Sequence, residues 1–113
     1  PLIATTFGDA LIATENPDNI AEATRVLKAA VARDRENPFA WYQLGTAYAA
    51  SGDIARAQLA SAEQQALSDQ MAEALRSAEA AQAALPKGSP DWLRAQDIAF
   101  QARAALERKR KRN

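Results

Sequence analysis

Apolar residues recur along the chain at steps of three and four, the spacing that places side chains on one face of an α-helix. The clearest examples are Ile20, Ala23, Leu27 and Ala30 in one segment and Trp41, Leu44 and Tyr48 in the next. Clusters of Asn, Asp, Pro, Gly and Ser separate these segments and are typical of turns. The sequence therefore predicts six helices, at residues 2–15, 19–33, 38–51, 54–67, 71–85 and 90–110.

Several helix starts carry their own signals. Ser89 precedes Pro90, which combines an N-cap hydroxyl with the residue that is favoured at the first helical position. Asp53 and Asp69 stand directly before helical segments and are predicted to be N-caps. Short connections between helices favour antiparallel neighbours, so the six helices are expected to form three hairpins.

Alanine supports an all-α fold, because it occupies 29 of the 113 positions and has the best intrinsic helix propensity. Large apolar side chains are few, which favours stacked hairpins with thin buried layers over one thick core. The chain has no cysteine and no histidine. These absences exclude disulfides, thiol nucleophiles, Cys/His zinc sites and histidine-based catalysis within this segment.

Helical hairpins repeat along the chain at close to 34 residues, the period of the tetratricopeptide repeat (TPR). The middle unit carries the repeat's motif, W-x2-L-G-x2-Y followed by G-D and Ala, at Trp41, Leu44, Gly45, Tyr48, Gly52, Asp53 and Ala57. We expect Gly45 and Ala57 to let two helices cross closely. The predicted fold is a right-handed αα superhelix of about three TPR-like hairpins, with the last helix covering the open edge of the stack.

The register of the third repeat stays open. Ala74, Ala78, Ala81 and Pro86 match the second helix of a repeat, whereas counting hairpins makes residues 71–85 a first helix.

Residues 41–65, 71–85 and 88–98 together resemble the C-terminal TPR region of bacterial zinc metalloproteases, the periplasmic BepA-like branch of peptidase family M-48. The most specific parts of this resemblance are the runs AQLASAE at 57–63 and GSPDWLRAQD at 88–97.

The resemblance implies a non-catalytic module attached to a protease domain that binds zinc through H-E-x-x-H. This chain lacks that motif, so zinc is implied only for the absent domain and no cofactor is expected here. The resemblance also implies a periplasmic location and an interaction platform for substrate or partner proteins, including the module's own protease domain and outer-membrane proteins.

A peptide-binding groove is predicted on the first helix of the middle repeat. Its candidate residues are those that the helix–helix seam does not use: Phe39, Tyr42, Gln43, Thr46 and Ala50. The two aromatic side chains beside amide and hydroxyl groups would form a mildly apolar groove with hydrogen-bonding capacity. The alternative is that Phe39 packs at a helix start and Tyr42 is an ordinary exposed aromatic residue.

Positive charge concentrates at the C-terminus. Residues 1–102 carry 8 basic and 13 acidic side chains, whereas residues 103–113 carry 6 basic and 1 acidic. We divide the chain into a helical repeat domain at 1–107 and a basic, disordered tail at 108–113. Because no aromatic residue or second basic stripe accompanies the run, it is interpreted as a solvated helix end and not as a nucleic-acid site.

Two functional hypotheses follow from these patterns. The first is a protein–protein interaction module that is not itself an enzyme. The alternative is a self-associating structural scaffold unrelated to proteolysis, and a homodimer is compatible with it. Membrane insertion is not expected, because the longest uncharged run, at 37–52, is short and contains polar residues.

Overall fold

The computed structural model describes residues 16–112 together with Gly8, and within them five α-helices and no β-strand are present. The helices are α1 (Pro17–Arg33), α2 (Pro38–Ala50), α3 (Ile54–Leu67), α4 (Met71–Ala84) and α5 (Pro90–Arg112). The all-α prediction is confirmed over these residues. The first predicted helix, at 2–15, lies outside the described residues except for Gly8, which is helical and buried.

Local capping explains why four of these helices begin where they do. The side-chain carbonyl of Asn16 accepts from the backbone of Asp18, and that of Asn37 accepts from two backbone N–H groups at the start of α2. The Asp53 carboxylate accepts from the backbone N–H of Arg56 at 3.1 Å, and the Ser89 hydroxyl accepts from that of Trp92 at 3.2 Å. The predicted caps at Asp53 and Ser89 are thus confirmed.

The predicted N-cap at Asp69 is wrong. Gln70 occupies that position without a side-chain cap hydrogen bond, and Asp69 adopts a left-handed conformation with φ of 59°. Aspartate tolerates this conformation better than most residues, so Asp69 forms the turn between α3 and α4 instead of capping α4.

The last helix continues through the basic run to Arg112, although the tail from residue 108 was expected to be disordered. Cations in the final turns favour the negative end of the helix dipole, which is compatible with this extension. The side chains of residues 107–112 are all exposed. The division of the chain at residue 107 stays a prediction.

Buried side chains form two clusters of different composition. The tryptophan cluster joins α1, α2 and α3 and consists of Ala23, Leu27, Val31, Ala40, Trp41, Leu44, Ala47 and Ala60. The alanine cluster joins α3, α4 and α5 and consists of Leu59, Ala62, Ala74, Ala78, Ala81, Leu85, Ala95, Ile98, Ala99 and Ala102. Helix α3 contributes to both, so it is the wall that the two clusters share.

The contacts between helices follow the same division. Helix α3 contacts α2, α4 and α5, and α5 also contacts α4, so the last three helices pack against one another in every pairing. Among the described helices, α1 contacts only α2, and α2 makes no contact with α4. Consecutive described helices therefore contact one another, while the three hairpins, the right-handed superhelix and the register of the third repeat remain predictions.

Gly45 lies where α2 and α3 come closest. A Cβ atom added there would stand 3.4 Å from the Cβ of Ala60 and 3.5 Å from the carbonyl oxygen of Ala57. Those are ordinary van der Waals distances, so alanine fits at this position and any longer side chain would push α3 away. The expected close crossing at Gly45 and Ala57 is present.

Candidate functional site

Four of the five predicted groove residues lie on one exposed face of α2. Phe39 is 52% exposed and Tyr42 is 60% exposed, and both Thr46 and Ala50 are also exposed. Their spacing of three and four residues aligns them along the helix. We call this face, defined by Phe39, Tyr42, Thr46 and Ala50, the α2 stripe.

Gln43 does not belong to the α2 stripe, and its predicted exposure is wrong. It is only 3% exposed, and its Oε1 atom has no hydrogen-bond partner among the described residues. Ala40 and Ala47 stand three residues before it and four after it, so the three residues share a buried line of α2. The sequence pattern placed Trp41, Leu44, Gly45 and Tyr48 in the helix–helix seam, but it did not indicate this second buried line.

A shallow groove of about 310 Å³ adjoins the α2 stripe, where α2 meets α3. Tyr42 and Thr46 form one side of it, and Ile54, Gln58 and Ser61 form the other. Ile54 is 57% exposed and adds an apolar side chain to the aromatic pair. Sequence reasoning missed Ile54, because the first position of a helix gives no periodic signal about which neighbour it faces.

The aromatic and leucine residues predicted to fill the seam of the middle hairpin lie beneath this surface. Trp41 and Leu44 are buried, and Tyr48 is half-buried against the tryptophan cluster. The indole Nε1 of Trp41 donates to the carbonyl oxygen of Arg35 at 2.8 Å, which fixes the turn between α1 and α2. Gly52, with φ of 84°, supplies the left-handed residue of the next turn.

Two arginines tie α3 to α5. Arg94 donates to both carboxylate oxygens of Glu63, at 2.9 and 2.8 Å, and Arg56 donates to Asp91 at 3.0 Å. Glu63 is buried, with 7% of its side chain exposed, while 37% of the Arg94 side chain is exposed. The hydrogen bond that Arg94 donates to Glu63 raises the pKa of Arg94, so this guanidinium stays charged.

Burial changes the pKa of Tyr48, which lies beside these ion pairs. Desolvation raises the pKa of Tyr48 above its ordinary value, and the nearby charge of Arg56 acts in the opposite direction. Tyr48 therefore remains a neutral phenol at physiological pH.

Helix α5 presents a second exposed apolar surface. Leu93 is 50% exposed and Phe100 is 70% exposed, and they stand seven residues apart on the same side of the helix. Together with Gln82 of α4 and Arg103 they line an open groove of about 700 Å³. No sequence prediction selected either residue.

Metal binding and membrane crossing were the other two functions considered for the described residues. Within residues 16–112 no group of three or more carboxylates is placed to hold a metal ion. None of the five described helices combines the length and the apolar character that crossing a bilayer requires.

Comparison with known proteins yields no assignment: no protein-family model matches the chain, and no curated protein matches it either.

Proposed function

We propose that the chain is a non-catalytic protein–protein interaction module that binds a polypeptide along the α2 stripe. The observation that carries this proposal is the side-by-side exposure of the Phe39 and Tyr42 rings on one helix face, each more than half in solvent. Aromatic residues are over-represented among the side chains that dominate binding energy in interfaces.

The composition of the surface supports a polypeptide ligand. Ile54 extends the apolar area beyond the rings, and Gln58, Ser61 and Thr46 supply amide and hydroxyl groups around it. An apolar centre with a polar rim is the usual arrangement of a protein-binding patch. The rigid hairpin beneath, fixed by Trp41 and Gly45, would hold the patch in place without a costly rearrangement.

The resemblance to the BepA-like metalloproteases extends the proposal. In that setting the module belongs to a periplasmic zinc protease, with its helices in a right-handed TPR superhelix and zinc held only by the separate protease domain. The ligand is then a substrate, an outer-membrane protein or the protease domain itself. From this resemblance we expect a helix with the H-E-x-x-H motif to be encoded N-terminal to the chain.

Binding experiments with paired variants test the proposal. The immobilised chain is compared with a Phe39→Ser/Tyr42→Ser variant and with a matched Leu93→Ser/Phe100→Ser variant, using a cell-envelope extract. We expect polypeptides that the wild type and the α5 variant retain and the α2 variant loses. Equal retention by all three proteins, or equal loss from both variants, would overturn it.

A second candidate function, self-association, is favoured by the exposed Leu93 and Phe100 face of α5. Sedimentation velocity over a wide concentration range separates the two candidates. A dimer that Leu93→Ser/Phe100→Ser abolishes supports the scaffold, and a monomer at every concentration supports the binding module.

A further inference from the structure

A cleft lies on a different side of α2 from the α2 stripe, over the α3 wall and between α1 and α5. Its volume is about 360 Å³. Apolar side chains from both clusters form its floor, namely Val31, Trp41, Leu44, Leu59 and Ala60. Among the described helices α5 packs on α3 while α1 contacts only α2, which leaves α1 and α5 apart on the two sides of the cleft.

Charged side chains line the cleft. The cations are Lys28, Arg35, Arg56 and Arg94, and the carboxylates are Asp91 and the buried Glu63. Arg94 already pairs with Glu63 and Asp97, and Arg56 already pairs with Asp91 and Asp53. Lys28 and Arg35 make no ion pair with any residue that the structure describes. The rim therefore keeps two cations that are not neutralised within the described fold.

The backbone that carries one of these cations is anchored. The Arg35 carbonyl oxygen accepts the indole N–H of Trp41, which anchors the turn carrying Arg35 to the floor of the cleft. Lys28 lies one turn before Val31 on α1, on the helix face that borders the same opening. Both charges thus stand beside an apolar surface, which favours a ligand that combines an apolar group with an anionic one.

A second depression of about 560 Å³, which Glu36 also lines, adjoins the cleft. The two share Arg35, Glu63 and Arg94, and the second adds apolar surface from Met71 and Leu67. A chain-like ligand can reach both depressions, whereas a compact molecule would occupy only one.

From these observations we propose that the cleft between α1 and α5 binds an extended peptide segment in which a large apolar side chain neighbours a carboxylate. The apolar side chain lies against Trp41, Leu44 and Leu59, and the carboxylate approaches Lys28 and Arg35. This site is separate from the α2 stripe and does not depend on the function proposed for that surface.

Nuclear magnetic resonance titration of the full chain tests the proposal with defined peptide pools. The first pool contains capped hexapeptides with one Leu, Ile, Phe or Trp between two Asp or Glu residues. A second pool replaces Asp and Glu by Asn and Gln, and a third replaces them by Lys. The indole N–H of Trp41 reports on the cleft, and that of Trp92, which packs against the alanine cluster, is the internal control.

We expect the acidic pool to shift the Trp41 indole and Leu59 methyl signals with at least about tenfold higher affinity than the amide pool, because rim charges contribute through complementarity. The lysine pool should bind more weakly still. Equal affinity of the acidic and amide pools would overturn the proposal, as would an absence of shifts at Trp41 and Leu59 with any pool.

Charge-reversal variants complete the test. Lys28→Glu/Arg35→Glu should lower the affinity for the acidic pool by about tenfold or more and raise that for the lysine pool. The control Lys109→Glu/Arg112→Glu changes net charge equally at the end of α5 and should leave both affinities unchanged. If the first pair disturbs folding, the milder Lys28→Gln/Arg35→Gln pair should still lower acidic binding.

A further variant separates this site from the α2 stripe. Tyr42→Ala should leave binding of the acidic pool at the cleft unchanged. Loss of cleft binding in Tyr42→Ala, or unchanged acidic binding in both Lys28/Arg35 variants, would overturn the assignment to the cleft.

Discussion

The two clusters on either side of α3 are stabilised in different ways. The tryptophan cluster fills its space with a few large side chains, including Trp41, Leu27 and Leu44. In the alanine cluster seven of the ten buried residues are alanine, and these small side chains let the backbones of α3, α4 and α5 come close together. The stability of the tryptophan cluster should therefore be sensitive to lost side-chain volume, and that of the alanine cluster to added volume.

Removing a large side chain from the tryptophan cluster should have the largest effect. Leu27 is fully buried, so Leu27→Ala removes its contacts and leaves a cavity. We expect the free energy of unfolding to fall by about 3 kcal/mol. Urea denaturation measures it, and Leu93→Ala, at a half-exposed leucine, should change stability by less than about 1 kcal/mol. Similar losses from the two substitutions would contradict the burial argument.

Adding volume to the alanine cluster should have the next largest effect. Ala78 has no exposed surface, so Ala78→Leu forces α4 away from its neighbours and should lower the free energy of unfolding by about 1–3 kcal/mol. Ala83→Leu, at an exposed position of the same helix, is the matched control and should be close to neutral. A stable Ala78→Leu protein with an unchanged melting temperature would refute close backbone packing.

Breaking the buried ion pair tests the link between α3 and α5. Glu63→Gln leaves the Arg94 charge without its bidentate partner, and because Arg94 is partly solvated we expect a loss of about 1–2 kcal/mol. Glu79→Gln breaks the exposed pair with Arg103 and should cost less than about 0.5 kcal/mol. Denaturation of both variants at equal salt compares them, and equal costs would contradict the burial difference.

Gly45 tests how closely α2 and α3 approach. Gly45→Ala should stabilise the protein by about 0.5–1 kcal/mol, because alanine costs less conformational entropy in a helix and its Cβ meets only ordinary contacts. Gly45→Leu should destabilise it, since the longer side chain meets Ala60. Thermal denaturation of the two variants checks the opposite signs, and two changes of the same sign would not fit this geometry.

The smallest expected effect concerns pH. Burial raises the pKa of Tyr48 in the folded state, so its contribution to stability is complete below the ordinary tyrosine pKa and is lost as the pH rises above about 10. In a Tyr42→Phe background, absorbance at 295 nm should show Tyr48 titrating at higher pH in the folded protein than in urea. Identical titration curves in both states would disprove the effect of burial.

Local signals in the sequence predicted the helices well. The predicted bounds of the five described helices fall within two residues of the observed ones, because Asn37, Asp53 and Ser89 act on their own helix starts. Among the predicted caps Asp69 is the exception. An aspartate can either cap a helix or form a left-handed turn, and the residue type alone does not decide between the two.

The surfaces were harder to predict than the helices. Phe39, Tyr42, Thr46 and Ala50 could be placed on one face because periodicity alone aligns them. Gln43 is the residue that was assigned wrongly, because a second buried line through two small alanines gives a weak signal. The cleft was not predictable at all, since it depends on α5 packing against α3, and no spacing along the chain encodes that choice.

Hydrogen exchange of the chain, free and saturated with a polypeptide that it captures, is the decisive test of whether the α2 stripe is the binding surface. We predict slower exchange along α2 at residues 39–50 and at the start of α3 around Ile54, with unchanged exchange along α5 at residues 93–103. Protection confined to the Leu93 and Phe100 face, with α2 unaffected, would contradict the claim that the α2 stripe is the binding surface.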